Sequence, residues 1–247
     1  MPQSGSGRIE IFEDFIGAEW IIAETAASGA IGSLRVIGDG IAETDSGAIN
    51  LESDGMSGVV QLTSTNEDKH GVYIATPVMF DVGLMGPLVL EARLRLPALA
   101  NREVFIGFSD VNSDDLSLED DLVHGGTATI TLTASDLVGF LFSSELSDSE
   151  DWHTVYNGGT TTGQTASGST DLNDDAVAGE FQVLRLELAP NGRVEWYIDG
   201  VLKQTVAGAV STSVDLCLNV IVESKTTAVK TLDVDYIKVW ANRDWTA

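Results

Sequence analysis

Apolar residues in this chain recur at every second position in short runs, and helical spacing is scarce. The clearest case is Leu88–Leu96, where Leu88, Leu90, Ala92, Leu94 and Leu96 alternate with Val89, Glu91, Arg93 and Arg95. Successive residues of a strand point to opposite faces, so this alternation puts one set of side chains in a core and the other in water. Phe181–Leu188 alternates in the same way. Pro190-Asn191-Gly192 then supplies a turn, Arg193–Ile198 a strand, Asp199-Gly200 a hairpin turn and Val201–Thr205 the returning strand. Val214–Glu223 and Leu232–Trp240 close the series. Upstream, Arg8–Phe15, Gly32–Ile37, Ala48–Leu51, Gly58–Thr63, Val72–Phe80 and Glu103–Ser109 have strand character. In the first of these Ile9 and Ile11 face inward, with Phe12 a candidate third. Ala128–Thr133, Leu137–Ser143 and Trp152–Tyr156 follow. Ser109–Asp121 reads as an acidic loop, and Asn157–Asp175, rich in Gly, Thr, Ser and Asp, as a long loop or mobile hairpin. The pattern predicts an all-β sandwich of two antiparallel sheets: one domain over residues 9–243, after a flexible lead-in at 1–8.

Composition narrows the function classes. A chain of 247 residues buries enough surface to need neither disulfide nor metal for its core. The net charge is −25, from 38 acidic and 13 basic residues. Phosphate binding relies on clustered Lys and Arg, so neither nucleic acid nor an anionic membrane is an expected partner. The single cysteine, Cys217, excludes an intrachain disulfide. It lies in the apolar run 214–222, where a buried, inert thiol is expected. The polar start Met1-Pro-Gln-Ser-Gly-Ser-Gly-Arg8 lacks the apolar stretch of a signal peptide. No apolar run approaches the ~20 residues needed to cross a bilayer. Synthesis in the cytoplasm without membrane insertion is expected.

Two segments carry a resemblance. Phe181-Gln-Val-Leu-Arg-Leu-Glu-Leu-Ala-Pro-Asn-Gly-Arg-Val-Glu-Trp-Tyr-Ile-Asp-Gly-Val-Leu202 resembles the paired strands of laminarinase-type glycoside hydrolases and laminarin-G modules, and Leu232-Asp-Val-Asp-Tyr-Ile-Lys-Val-Trp240 resembles their closing strand. The implied fold is a concanavalin A-like jelly roll; chemistry is not implied. A second, looser resemblance is to structural proteins of tailed bacteriophages that carry a catalytically empty domain of this fold. It rests on Phe105-Ile-Gly-Phe-Ser-Asp110, Leu137-Val-Gly-Phe-Leu-Phe142, Trp152-His-Thr-Val-Tyr156, the stretch 222–236, and Phe12-Glu-Asp-Phe15 followed by Trp20. It implies a non-enzymatic virion structural protein, a capsid decoration or fibre-like component. The implied partners are the major capsid protein or other virion proteins, and the implied location is the capsid surface after synthesis in the host cytoplasm. Homo-oligomerisation follows from the symmetry of capsid sites. A carbohydrate-binding module, adhering to a host-surface glycan, and a divergent laminarinase-type hydrolase are the alternatives.

The laminarinase-type site needs Glu-x-Asp-x-x-Glu, with two carboxyls about 5–5.5 Å apart for retaining chemistry. Glu43-Thr-Asp45, Glu52-Ser-Asp54 and Glu119-Asp-Asp121 each lack the second Glu, with Ala48, Ser57 and His124 in its place. No catalytic residue is therefore expected. His70, His124 and His153 show no metal-ligand spacing. No cofactor is expected, with calcium the one candidate, at Asp110, Asn112 and Asp114. Alternating carboxylates and amides can converge on one ion, although Asp115 replaces the turn glycine of an EF-hand loop. Glu119 and Asp121 read as surface acids. Trp152 and Tyr156, beside the Gly/Thr-rich stretch, are the candidate glycan-stacking aromatics. Ile9, Ile11 and Phe12 are candidate attachment anchors, because an uncharged leader precedes them.

Overall fold

The structure is a computed structural model, and it describes residues 7–16, 29–31, 34–38, 48–51 and 58–243, with backbone alone at 29–31 and 48–51. Among these the strands are β1 (Arg8–Glu13), β2 (Gly29–Ile31), β3 (Leu34–Ile37), β4 (Ala48–Leu51), β5 (Val60–Thr63), β6 (Gly71–Ala75), β7 (Phe80–Asp81), β8 (Leu88–Arg95), β9 (Arg102–Ser109) and β10 (Val123–Gly126). The series continues with β11 (Thr129–Leu132), β12 (Leu137–Ser143), β13 (Asp151–Asn157), β14 (Asp171–Asp175), β15 (Phe181–Leu188), β16 (Val194–Ile198), β17 (Val201–Val206), β18 (Asp215–Ser224) and β19 (Thr231–Asn242). Helix among the described residues is confined to single turns at Val82–Met85, Leu118–Leu122 and Ser167–Thr170.

Two antiparallel sheets form the body. One has eight strands, in the order β17-β16-β15-β8-β19-β5-β4, with β1 also on β19. The other has nine, in the order β14-β13-β12-β9-β18-β6-β3-β2, with β7 also on β18. A large apolar cluster lies between them. Leu88, Leu90, Ala92 and Leu94 of β8, Leu184, Leu186 and Leu188 of β15, and Trp196 enter it from the eight-stranded sheet; Val104, Ile106, Phe108, Phe140 and Val220 enter from the other. Trp196 is fully buried, and its Nε1 donates to Gly139 O across the core at 2.8 Å.

The two sheets differ in what lies on their outer faces. In the eight-stranded sheet burial alternates along β8, β15 and β16, so its outer side is open. In the nine-stranded sheet β6, β9 and β12 are buried at every position, and β13 and β18 at all but one. Something must cover both sides. On the outer side the cover is residues 110–134: Leu116, Leu118, Leu122, Val123, Ile130 and Ala134 pack on Tyr73, Phe105, Leu137, Leu141, Val155 and Ile221 in a second apolar cluster. Phe105 lies over the paired glycines Gly107 and Gly139, where a Cβ on Gly139 would stand 2.7 Å from its ring.

Several sequence expectations are corrected. Residues 109–121 are not a solvated loop, because their leucines form the cover. The stretch 157–175 ends in β14, which pairs with β13. Gly7 and Arg8 do not belong to a free lead-in: Arg8 opens β1, and Gly7 O accepts from Arg243 N at 2.9 Å. Ile9 and Ile11 pack against the core, whereas Phe12 points out, 55% exposed. Tyr236 also faces out. A bulge between Val234 and Tyr236 sends Val234 and Ile237 both inward. Residues 1–6, Trp20, 32–33, the Glu43/Asp45 pair and the Glu52/Asp54 pair lie outside the described residues.

Candidate functional site

The chemistry-bearing side chains gather where the cover meets the nine-stranded sheet. β9 and β18 pair with Glu103 opposite Glu223, so both carboxylates leave the same face side by side, and neither is exposed. Two buried like charges are costly unless each finds donors or a cation. The cover supplies them. Glu223 accepts from the backbone N–H groups of Leu118 (2.5 Å) and Glu119 (3.2 Å) and from the hydroxyls of Ser117 (3.2 Å) and Tyr73 (3.4 Å). Those N–H groups open the turn Leu118–Leu122, where no partner exists within the turn itself. Glu103 accepts from Gly125 N at 2.6 Å and meets His124 Nδ1 at 3.4 Å. Burial, with Glu103 beside it, pushes the Glu223 pKa up to about 8.

Lys225 completes the group. Its side chain is 2% exposed, contacts Glu119 directly, and lies 3.3 Å from His124 Nδ1, 3.5 Å from Glu145 and 3.7 Å from Glu103. Burial works against its charge, but Glu103 and Glu119 more than offset that and hold its pKa above the usual value. Burial likewise opposes the charge on Glu119, yet hydrogen bonds from Lys225 and Lys69 bring its pKa below the usual value. The hydrogen bond to Glu103 raises that of His124 against burial. Glu119, His124 and Glu145 bring ligand-type atoms within 4.8 Å of one another. The ammonium of Lys225 already lies against all three, so this group is a charge network centred on an amine. It fastens residues 117–125 to β9 and β18. Its deep carboxylates, Glu103 and Glu223, are fully buried.

The structure disperses the residues singled out from sequence. Trp152 and Tyr156 are buried, at 0% and 3% exposure, and are not presented at the surface. Both point between the sheets: Trp152 packs edge-on against Phe140 and Phe142 and donates Nε1–H to Gln182 Oε1 at 3.0 Å, while Tyr156 lies 6.0 Å from Trp196. Asn112 and Asp114 do converge, but on the guanidinium of Arg35, which donates to Asn112 Oδ1 at 2.7 Å and pairs with Asp114. Asp110 instead accepts from Asp136 N at 3.3 Å. A protein cation therefore stands where calcium was expected. Glu119 is no surface acid, being 18% exposed and paired with Lys69 and Lys225. Cys217 is buried, and burial raises its thiol pKa. A shallow cavity of about 270 Å³ lies elsewhere, lined by residues such as Gly158, Thr160, Asn191, Gly208 and Ser211; its lining carries neither a charged nor an aromatic side chain.

Solved structures resemble this one over most of its length. A Shewanella oneidensis MR-1 protein of unknown function superposes with a TM-score of 0.59 at 12% identity, over 98% of this chain and 89% of that one. Bacillus licheniformis β-glucanase gives 0.53 at 13% identity, over 96% and 99%. Peanut lectin gives 0.54 at 12%, over 95% and 97%. The fold is a concanavalin A-like jelly roll. At such identities the likeness extends to the jelly roll alone, which lectins and glucanases share. No protein-family model matches the sequence, and no curated protein matches it.

Proposed function

We propose that the protein is a non-enzymatic structural protein of a bacteriophage particle, which self-associates through the outer face of its eight-stranded sheet. The observation that carries the non-enzymatic reading is the cover. A cleft on the nine-stranded sheet would need the outer face of that sheet open, and here residues 110–134 pack on it, fastened by its buried carboxylates. The virion assignment rests on the resemblance to tailed-phage structural proteins.

The eight-stranded sheet supports the assembly reading. Arg93, Arg95, Arg185 and Lys238, four of the chain's 13 basic residues, lie on it and pair with Asp235, Asp233, Glu91, Glu187 and Glu10. With Arg193 and Glu195, which pair at its β16 side, five bases stand against six acids, so this face is close to neutral in a molecule of charge −25. Aromatic rings lie among the cations: Arg93 stands 4.3 Å over Phe181, Arg185 5.3 Å over Trp240, and Phe12 lies 6.1 Å from Tyr236. Any contact between acidic faces would set like charges together, so a second copy is best met here, about a two-fold axis. Of the three anchors named from sequence, Phe12 alone is presented to such a partner. Light scattering on the purified chain at micromolar concentration tests this. A dimer is expected, and Arg185→Glu, which adds an acid beside Glu91 and Glu187, should yield a folded monomer. A wild-type monomer, absence of the chain from purified particles by mass spectrometry, or hydrolysis of a β-glucan would each overturn part of the proposal.

A further inference from the structure

Four aspartates meet at the far edge of the nine-stranded sheet. Asp148 comes from the loop between β12 and β13, Asp151 opens β13, and Asp171 and Asp175 bound the edge strand β14. The two strands pair with Asp151 opposite Asp175 and His153 opposite Asp171, with a bulge between Asp151 and His153. Acids facing each other across a ladder repel. Yet carboxylate oxygens of Asp148, Asp151 and Asp171 all lie within 4.8 Å of one another. That spacing matches one shared ion, since oxygens each about 2.3–2.6 Å from calcium stand at most about 5 Å apart.

A second observation singles out Asp151. It is only 8% exposed, and among the described residues neither an N–H, an O–H nor a cationic group donates to its carboxylate. The other buried carboxylates among the described residues are all served. Glu103 and Glu223 are held by the cover, and Asp233 takes Arg95 and Gln61. The nearby donors are engaged elsewhere: Lys203 pairs with Asp174, and the Gln182 amide donates to Asp175 O. A buried acid aimed at two further acids, with no cation among the described residues paired to it, calls for a cation from solution.

The geometry points to a calcium site built by Asp148, Asp151 and Asp171, with Asp175 facing it from β14. The donor set is all oxygen. His153 lies alongside but is committed to Thr170 Oγ1 (3.1 Å) and the Asp148 carbonyl (3.4 Å), so a nitrogen ligand of the kind zinc and other transition metals favour is not offered. Calcium tolerates an irregular shell of 6–8 oxygens, which water completes on the exposed Asp148 side. Magnesium demands a tighter octahedron. The ion would pin β14 and the β12–β13 loop together, and the site stands independently of whether the chain self-associates.

The test uses the full chain, freed of divalent ions, at matched ionic strength so that general screening of the −25 charge is held constant. Calorimetric titration should give one calcium site per chain, and calcium should raise the unfolding temperature more than magnesium does. Asp151→Asn should melt at or above the metal-free wild type, because it removes the uncompensated charge, and should lose the calcium response. Asp171→Asn should lose the response too, whereas Asp114→Asn should keep it. A wild type that neither binds calcium nor gains stability from it overturns the site. An equal response to magnesium overturns the assignment to calcium. An undiminished calcium response in both Asp151→Asn and Asp171→Asn overturns the residues.

Discussion

Glu223 shows how much of this protein's chemistry is spent on holding itself together. Its carboxyl is enclosed beside Glu103, and the proton it keeps up to about pH 8 relieves that proximity. The folded pKa lies above the roughly 4.3 of an unfolded glutamate. Stability from this group is therefore fully present below that value and is lost as pH rises through the folded pKa. Glu223→Gln mimics the protonated acid and removes the loss. In urea titrations the variant should match the wild type near pH 5 and gain on it up to about pH 8, by roughly 2 kcal/mol or more. A wild type that gains on the variant as pH rises would place the carboxylate in a better-solvated setting. Little of this was legible in the sequence. Glu103, Glu119, His124, Glu145, Glu223 and Lys225 come from distant segments and share no spacing. The one available signal was Glu223 ending the apolar run of β18: an acid beside a strand buried on both faces must find a partner within the protein.

At the scale of elements, the cover was the feature missed and the strands were the feature found. β8 and β15 declare themselves because one face is wet, and alternation follows directly. β9, β12 and β18 instead run as Val-Phe-Ile-Gly-Phe, Leu-Val-Gly-Phe-Leu-Phe and Leu-Cys-Leu-Asn-Val-Ile-Val. Such continuous runs belong to strands covered on both faces, so the need for a cover was written there, though not its identity. Residues 109–121 passed for a loop because acids outnumber the two leucines among them, Leu116 and Leu118, and acids in a turn-rich stretch suggest solvent. Leu118→Ala and Leu122→Ala test the difference. Both side chains are fully buried, so each truncation should cost about 2–5 kcal/mol in denaturant unfolding. A solvated loop would show a change within about 0.5 kcal/mol. β14 was hidden for a related reason: an Asp-rich edge strand lacks an apolar face to read, and its pairing depends on how its acids are neutralised.

The whole molecule is asymmetric. One sheet face is sealed by the protein's own chain, and the other is an open, near-neutral field of ion pairs and aromatic rings on an otherwise acidic body. The jelly roll itself was legible, since the strand–turn–strand segment at 181–202 and the closing strand at 232–240 sit where the fold places them, as β15–β17 and β19. Its use was not, because fold leaves function open and the aromatic side chains offered for sugar binding turned out to be core. The non-enzymatic reading depends on the sealed face. Hydrogen–deuterium exchange read by mass spectrometry examines it most directly, through the amides of Leu118, Glu119 and Gly125 that donate to Glu223 and Glu103. If residues 110–134 are a fixed layer of the fold, peptides spanning 116–125 will exchange as slowly as those from β9 and β18. Exchange of that segment at the rate of an open loop, with the sheet beneath still protected, would contradict the account by leaving the outer face of the nine-stranded sheet free to take a ligand.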